Sequence, residues 1–333
     1  MITPAKQRFA IGVDLGGTKV ASAIADAEGH ILSKHTFPTG GEDGAEAVMD
    51  RIKAGIRQLL EDVDASPAQL IGIGVGSPGP LDTRRGVVVF APNLPFRNVP
   101  VTDILQQEFH VPVFLENDAN AAGLGEARLG AGQGRRHVVY ITVSTGIGGG
   151  IIIDGRIYRG AHDFAGEIGH MTIEPGGPVC GCGNRGCLEA VASGTAMARD
   201  GRSMMIAGRT PILAQLVEQD PEKVNAETVA QAAQQGDEGC RELVERTGYY
   251  LGLGVANVAN LLDPEMIIIG GGVAKMGEPL FARVRQVLSQ RALAAVASAV
   301  EVVPAALGGD AGVIGAVQVA LGQDREPAAV ATR

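Results

Sequence analysis

The sequence predicts two α/β domains facing a cleft. Three observations point there. Short apolar strand segments alternate with helical patterns from Phe9 onward, and the same order starts again at His137. Each half carries a glycine-rich turn directly after its first strand, at 14–19 and at 144–150. Glycine is in excess, 48 of 333 residues, against an ordinary usage of about 7%. It falls in clusters between apolar runs, where backbone must come close to something.

The runs FAIGVDLG, KVASAIAD and ILSKHTFP are apolar or β-branched and are parted only by GGT and AEGH, so they read as a strand meander. Ala47, Val48, Ile52, Ile56 and Leu59 then recur near helical spacing, which predicts a helix over 44–61. Strand LIGIGVGS, a proline-rich loop from Pro78 to Pro100, a short helix and strand VPVFLEN follow, and a further helix starts at Asp118. The second half opens with HVVYITVSTG, IGGGIIIDG and GRIYRG. Helices over 226–235 and 238–262, strand EMIIIGGG, a helix near 279–291, strand AVEVVPA and a last helix near 310–321 complete it. The expected domains are residues 1–118 with 310–323, and residues 119–309; the tail 324–333 is expected to be disordered. Ligands of such sheets bind at the carboxyl ends of strands, in the crevice between domains.

Hydrophobic residues make up 45% and charged residues 20%, as in an ordinary globular chain. Asp and Glu outnumber Lys and Arg 37 to 28, a formal charge of −9. That balance argues against non-specific binding to nucleic acid or an anionic membrane, but leaves room for a local ATP site. No segment reaches the roughly 20 apolar residues of a membrane helix, and MITPAKQRFAIGVD lacks the apolar core of a secretion signal. The expected location is the cytoplasm, where three Cys crowded into 180–187 suggest metal rather than disulfides.

Asp14-Leu15-Gly16-Gly17-Thr18-Lys19 joins two strands tightly. Its glycines bare the backbone, Thr18 offers a hydroxyl, Lys19 a cation, and Asp14 can orient Mg²⁺ through water. The plain alternative is a hairpin turn. The order Thr18-Lys19 and the following strand exclude a Walker A loop. The matching turn is Ser144-Thr145-Gly146-Ile147-Gly148-Gly149-Gly150, too rich in glycine for an ordinary hairpin. Thr145, Gly146 and Gly148 are its candidate phosphate contacts. A third cluster, Gly270-Gly271-Gly272, ends a buried strand and can pass under a nucleoside. Gly74-Val75-Gly76-Ser77-Pro78-Gly79 matches a dinucleotide fingerprint in spelling only. Pro78 and Pro80 flank its last glycine and no helix starts there, so NAD binding is rejected.

Strand VPVFLEN delivers Glu116, Asn117 and Asp118 to its carboxyl end. Asp118 reads either as a helix N-cap or as a carboxylate that accepts a hydroxyl proton during phosphoryl transfer. As a residue near a helix N-terminus it is expected to favour its charged form. Asn117, Asn93, Glu167, His170 and Glu189 suit a polyol, whose hydroxyls are costly to bury unpaired. His170, Cys180, Cys182 and Cys187, spaced H-x9-C-x-C-x4-C, form a closed ligand set for a structural zinc, with no open position for hydrolysis. Such a zinc would pin the loop carrying Glu167 and Glu189.

Taken together, D-L-G-G-T-K, E-N-D-A-N, S-T-G-I-G-G-G, E-I-G-H and C-G-C-G-N-R-G-C-L-E resemble the ROK family (repressors, open reading frames and kinases), in the family's order and over nearly the whole chain. The resemblance implies a two-domain hexokinase/actin-like (ribonuclease H-like) ATPase fold, Mg-ATP as donor, and Asp118 as general base. It implies sugar contacts from Asn93, Asn117, Glu167, His170 and Glu189, zinc on His170 and the three Cys, and a homodimer or homotetramer. Repressor members carry a helix-turn-helix domain before the D-x-G-G-T-K motif. Only 13 residues precede Asp14 here, so a kinase is expected. Ser77-Pro78-Gly79-Pro80 is similar to glucokinases, whereas N-acetylhexosamine kinases tend to carry Gly-Arg in place of Pro80-Leu81. Glucose is therefore the expected acceptor. N-acetylmannosamine or N-acetylglucosamine is the alternative, and a non-catalytic sugar sensor or a filament-forming ATPase the alternative of another class.

Overall fold

The computed structural model describes residues 7–322, so the tail at 324–333 lies outside the described residues. The first half contains β1 (Phe9–Leu15), β2 (Lys19–Asp26), β3 (Ile31–Pro38), α1 (Ala45–Asp62), β4 (Leu70–Ser77), β5 (Leu81–Asp82), β6 (Val87–Phe90), β7 (Arg97–Val99), α2 (Val101–Phe109), β8 (Val113–Asn117) and α3 (Asp118–Leu129). The second contains β9 (Val138–Val143), β10 (Ile147–Ile153), β11 (Arg156–Ile157), α4 (Leu188–Ala192), α5 (Gly194–Ile206), α6 (Pro211–Leu216), α7 (Ala226–Gln234), α8 (Glu238–Leu262), β12 (Met266–Gly270), α9 (Glu278–Arg291), α10 (Ala294–Ala299), β13 (Glu301–Pro304) and α11 (Ala311–Ala320). The chain divides into two compact units. One holds residues up to 136, 150–165 and those from 309 onward; the other holds 137–149 and 166–308.

The first sheet has the order β3-β2-β1-β4-β8. Its tight links make β1, β2 and β3 an antiparallel meander, and the crossovers through α1 and α2 bring β4 and β8 in parallel to β1. One face is covered by α1, which turns Val48, Met49, Ile52, Ile56, Leu59 and Leu60 inward. Side chains such as Ile52, Ile56 and Leu59 are at most 1% exposed, and each contributes about 1.5–3 kcal/mol by its burial. The other face is covered by α11, at backbone distance. A Cβ on Gly12 would lie 2.5 Å from the Val313 carbonyl oxygen, and one on Gly74 2.0 Å from that of Ala316. The same helix presses on α3, where a Cβ on Gly315 would stand 1.7 Å from the Ala121 oxygen. Part of the glycine excess therefore serves packing rather than ligands.

The second sheet has the order β11-β10-β9-β12-β13, with β12 parallel to both β9 and β13. Its core joins Val139, Ile141, Ile267 and Ile269 to Leu251, Val255 and Leu280 from α8 and α9. The segment 78–100, expected to be loop, contains a third small sheet, β5-β6-β7. Its strands are two to four residues long, too short for an alternating pattern to register. Helices α4, α5 and α6 also escape the periodicity, because α5 mixes Gly194, Thr195, Gly201 and Ser203 into its run. Among the described residues no helix is long and apolar enough to cross a membrane.

Candidate functional site

In the first unit, the turn at 14–19 is tied to its surroundings by main-chain and hydroxyl bonds. The Gly16 N–H donates to the Lys19 carbonyl at 3.0 Å, and the Thr39 hydroxyl donates to the Gly16 carbonyl at 2.7 Å. Gly17 lies against Asn93: a Cβ there would be 2.7 Å from the Asn93 Cβ and 2.9 Å from its carbonyl oxygen. The turn and Asn93 are thus in contact, and only glycine fits between them. Thr18, Lys19 and Asn93 are exposed. Asp14, at the end of β1, is half-buried. Burial first, and then the neighbouring Asp118 charge, push its pKa up to about 6 against the pull of Lys19.

Asp118 is the first residue of α3, and the N-cap is Asn117. The Asn117 Oδ1 accepts from the Ala119 N–H at 3.0 Å and the Asn120 N–H at 3.1 Å. Capping is therefore done by the neighbour, and the N-cap reading of Asp118 is corrected. The expectation about its charge is corrected too. Asp118 Oδ1 does accept from the Ala119 N–H, at 2.8 Å. Yet burial raises its pKa by more than the hydrogen bonds from Ala119 and the Asn117 side chain lower it.

In the second unit, the turn at 144–150 carries no ionisable side chain. The Ser144 carbonyl accepts from the Gly194 N–H at 2.7 Å, and the Thr145 carbonyl accepts from the Thr195 hydroxyl at 2.7 Å. A carboxylate supports the turn from beneath. Glu189 Oε2 accepts from the Ile147 N–H at 2.9 Å, and a Cβ on Gly146 would lie 2.4 Å from that oxygen. Gly148 follows in β10, half-buried. Beside the turn is a cavity of about 1160 Å³ whose lining includes Thr145, Thr195, Arg202, Asn225, Gly272 and Lys275. Gly271 has φ +86°, and its backbone passes so near Val143 that a Cβ would be 2.3 Å from the Val143 oxygen. No sequence pattern marks Arg202, Asn225 or Lys275. They come from three separated stretches with no shared motif.

One atom each from His170, Cys180, Cys182 and Cys187 lies within 4.8 Å of every other. A tetrahedron around zinc with metal–sulfur bonds near 2.3 Å has edges of about 3.8 Å. Cys180 Sγ is 3.7 Å from His170 Nδ1, and Cys182 Sγ is 3.7 Å from Cys187 Sγ. Burial pushes the Cys180 thiol up to about 12 and raises Cys187, whereas a backbone hydrogen bond at Asn184 lowers Cys182. Buried thiols of this kind resist becoming anions until a cation joins them. The residues therefore fit a structural zinc. Cys180 Sγ also stands 3.6 Å from Glu189 Oε1, so the cluster and the second turn share one carboxylate. His170 Nδ1 faces the cysteines, while its Nε2 is 3.9 Å from the exposed Glu167 carboxylate.

Two five-stranded mixed sheets with these turns and this helix-terminal carboxylate define a protein of the hexokinase/actin-like ATPase fold. More specifically, the ROK family model matches residues 10–323, and the chain belongs to the ROK family. It is 41% identical to a glucokinase of Halalkalibacterium halodurans over 92% of this chain and 93% of that protein. It is 42% identical to a glucokinase of Thermotoga maritima over 93% and 96%. A solved ROK family glucokinase from Streptomyces griseus, in complex with glucose and AMPPNP, matches with a TM-score of 0.78 and 38% identity over 93% of this chain and 98% of that one. A xylose repressor of Caldicellulosiruptor bescii is 34% identical over 86% of this chain and 71% of its own length.

Proposed function

We propose that this protein transfers the γ-phosphoryl group of ATP to the 6-hydroxyl of glucose. The observation that carries the reading is Asp118: a carboxylate made more basic by burial, next to Asp14 and the cation-bearing turn of Lys19. A base gains efficiency as its pKa approaches the working pH. The glucokinase names of the relatives, and the glucose and AMPPNP of the Streptomyces griseus complex, support the same assignment.

In this reading the backbone N–H groups of Gly16, Gly17, Thr145, Gly146 and Gly148, with Thr18 and Lys19, hold the phosphates. Adenosine occupies the cavity next to Gly271 and Gly272. Asp14 would hold the Mg²⁺ that accompanies ATP, which would offset phosphate charge. Asn93, Asn117, Glu167, His170 and Glu189 fix the sugar hydroxyls. Asp118 takes the 6-hydroxyl proton as that oxygen bonds to the γ-phosphorus and the bond to the ADP oxygen breaks. His170, Cys180, Cys182 and Cys187 would hold a structural zinc, which would steady the loop that presents Glu167 and Glu189.

A coupled ADP-release assay over glucose, N-acetylglucosamine, N-acetylmannosamine and xylose tests the proposal. The expected result is the highest kcat/KM with glucose. A preference for an N-acetylated sugar would change the acceptor only. ADP release with none of them would overturn the kinase reading in favour of a sugar sensor.

A further inference from the structure

We propose that Arg159 and Glu116 form a positioning strut that holds Asn117 and Asp118 in place for phosphoryl transfer, an inference that rests on the kinase reading above. Among the described residues strand β8 ends the strand order of its sheet and pairs with β4, with Gly76 opposite Glu116 and Ser77 opposite Asn117. That pairing holds the backbone that delivers Asp118. On that backbone Glu116 is 1% exposed. Two guanidinium nitrogens of Arg159, Nε at 2.7 Å and Nη2 at 2.6 Å, donate to Glu116 Oε2. The other oxygen, Oε1, accepts from the Asn120 side-chain amide at 3.0 Å and from the Asn117 main-chain N–H at 3.0 Å.

One carboxylate thus joins the strand end, the first turn of α3 and the segment just after β11. Asn117, whose N–H it accepts, is the residue that caps α3 and is bonded to Asp118. The Glu116 carboxylate thus holds the Asn117 N–H, one residue before Asp118, by a hydrogen bond. Stability alone gives little reason to keep such a pair, because an apolar pair of like volume is often as stable. Fixing a reacting group gives a better one, since a misplacement of about 1 Å can lower turnover by about 10²-fold.

The test uses the whole protein and three variants: Arg159→Lys, Arg159→Met, and the double variant Glu116→Gln with Arg159→Met. Expected for Arg159→Met is a fall in kcat of about 10-fold or more, with the KM for ATP within about twofold, and Arg159→Lys should recover part of the loss. The double variant removes the unpaired charge, so its melting temperature should return toward wild type while kcat stays low. Recovery of kcat together with the melting temperature would overturn the proposal and leave the pair a purely structural role. If the unaltered protein phosphorylates no sugar, the kinase reading fails on its own, and amide hydrogen exchange at 117–120 reads the strut directly. Exchange faster in Arg159→Met than in wild type supports the strut, and unchanged exchange overturns it.

Discussion

The turn at 14–19 carries its own charges, Asp14 and Lys19, and leans on main chain and on Asn93, whereas the turn at 144–150 carries none and leans on the carboxylate of Glu189. The two are spelled alike, as glycine runs after a first strand, yet different forces hold them. The first is coupled to the strand end that carries Asp118, because the Asp118 charge raises the cost of charging Asp14. The second is a shaped cradle whose floor is shared with the cysteine cluster through Glu189. Perturbing the first should move turnover and pH dependence. Perturbing the second should move ligand affinity and respond to metal.

The largest effect is expected on the first side. Asp118→Asn should lower kcat by about 10²-fold or more, while calorimetry finds glucose affinity within a few-fold of wild type. On the second side, removing zinc by chelation or by Cys180→Ser should raise the KM for glucose by about 10-fold or more, and that for ATP by less. Equal loss of both, with loss of the circular dichroism signal, would report general unfolding and dissolve the contrast.

Gly17→Ala and Gly146→Ala sharpen it. The new methyl at 17 meets the Asn93 main chain, which cannot yield easily, while the methyl at 146 meets the end of the Glu189 side chain, which can. Overpacking of about 1–3 kcal/mol predicts that Gly17→Ala impairs both ATP and glucose kinetics. Gly146→Ala should show a smaller change, mainly in the KM for ATP.

The smallest effects concern pH. Asp118 must be charged to act as a base, so kcat/KM should fall as pH drops through its raised pKa, above the ordinary carboxylate range. Asp14→Asn removes a neighbouring negative charge and should move that acid limb to lower pH, whatever else it does to the rate. The same substitution should raise the melting temperature at pH 7 by about 2 °C. The sign follows from the raised folded pKa of about 6 against 3.8. The charged form is disfavoured on folding, so the penalty is full above pH 6 and gone below 3.8. The gain in melting temperature should therefore vanish in melts near pH 4.

Much of this was readable in the chain. The opening meander and the 25-residue helix Glu238–Leu262 carry strong periodic or local turn signals. The convergence of His170, Cys180, Cys182 and Cys187 was legible because they fall within 18 residues, and the place of Asp118 at a helix start because it follows a strand directly. What stayed hidden depends on distant partners. Glu116 and Arg159 are 43 positions apart, and although Glu116 opens the E-N-D-A-N run, no sequence pattern pairs it with Arg159. Arg202, Asn225 and Lys275 share only a cavity wall. The raised pKa of Asp118 was not legible, because a helix N-terminus is local and visible in sequence, whereas desolvation comes from the packing of the unit around it.

Phosphorus NMR of the protein with ATP, Mg²⁺ and glucose tests the central claim most directly. The account predicts ADP and glucose 6-phosphate appearing in equal amounts, and almost no conversion over the same time with Asp118→Asn. ATP left intact, or ADP formed with inorganic phosphate alone, would contradict it.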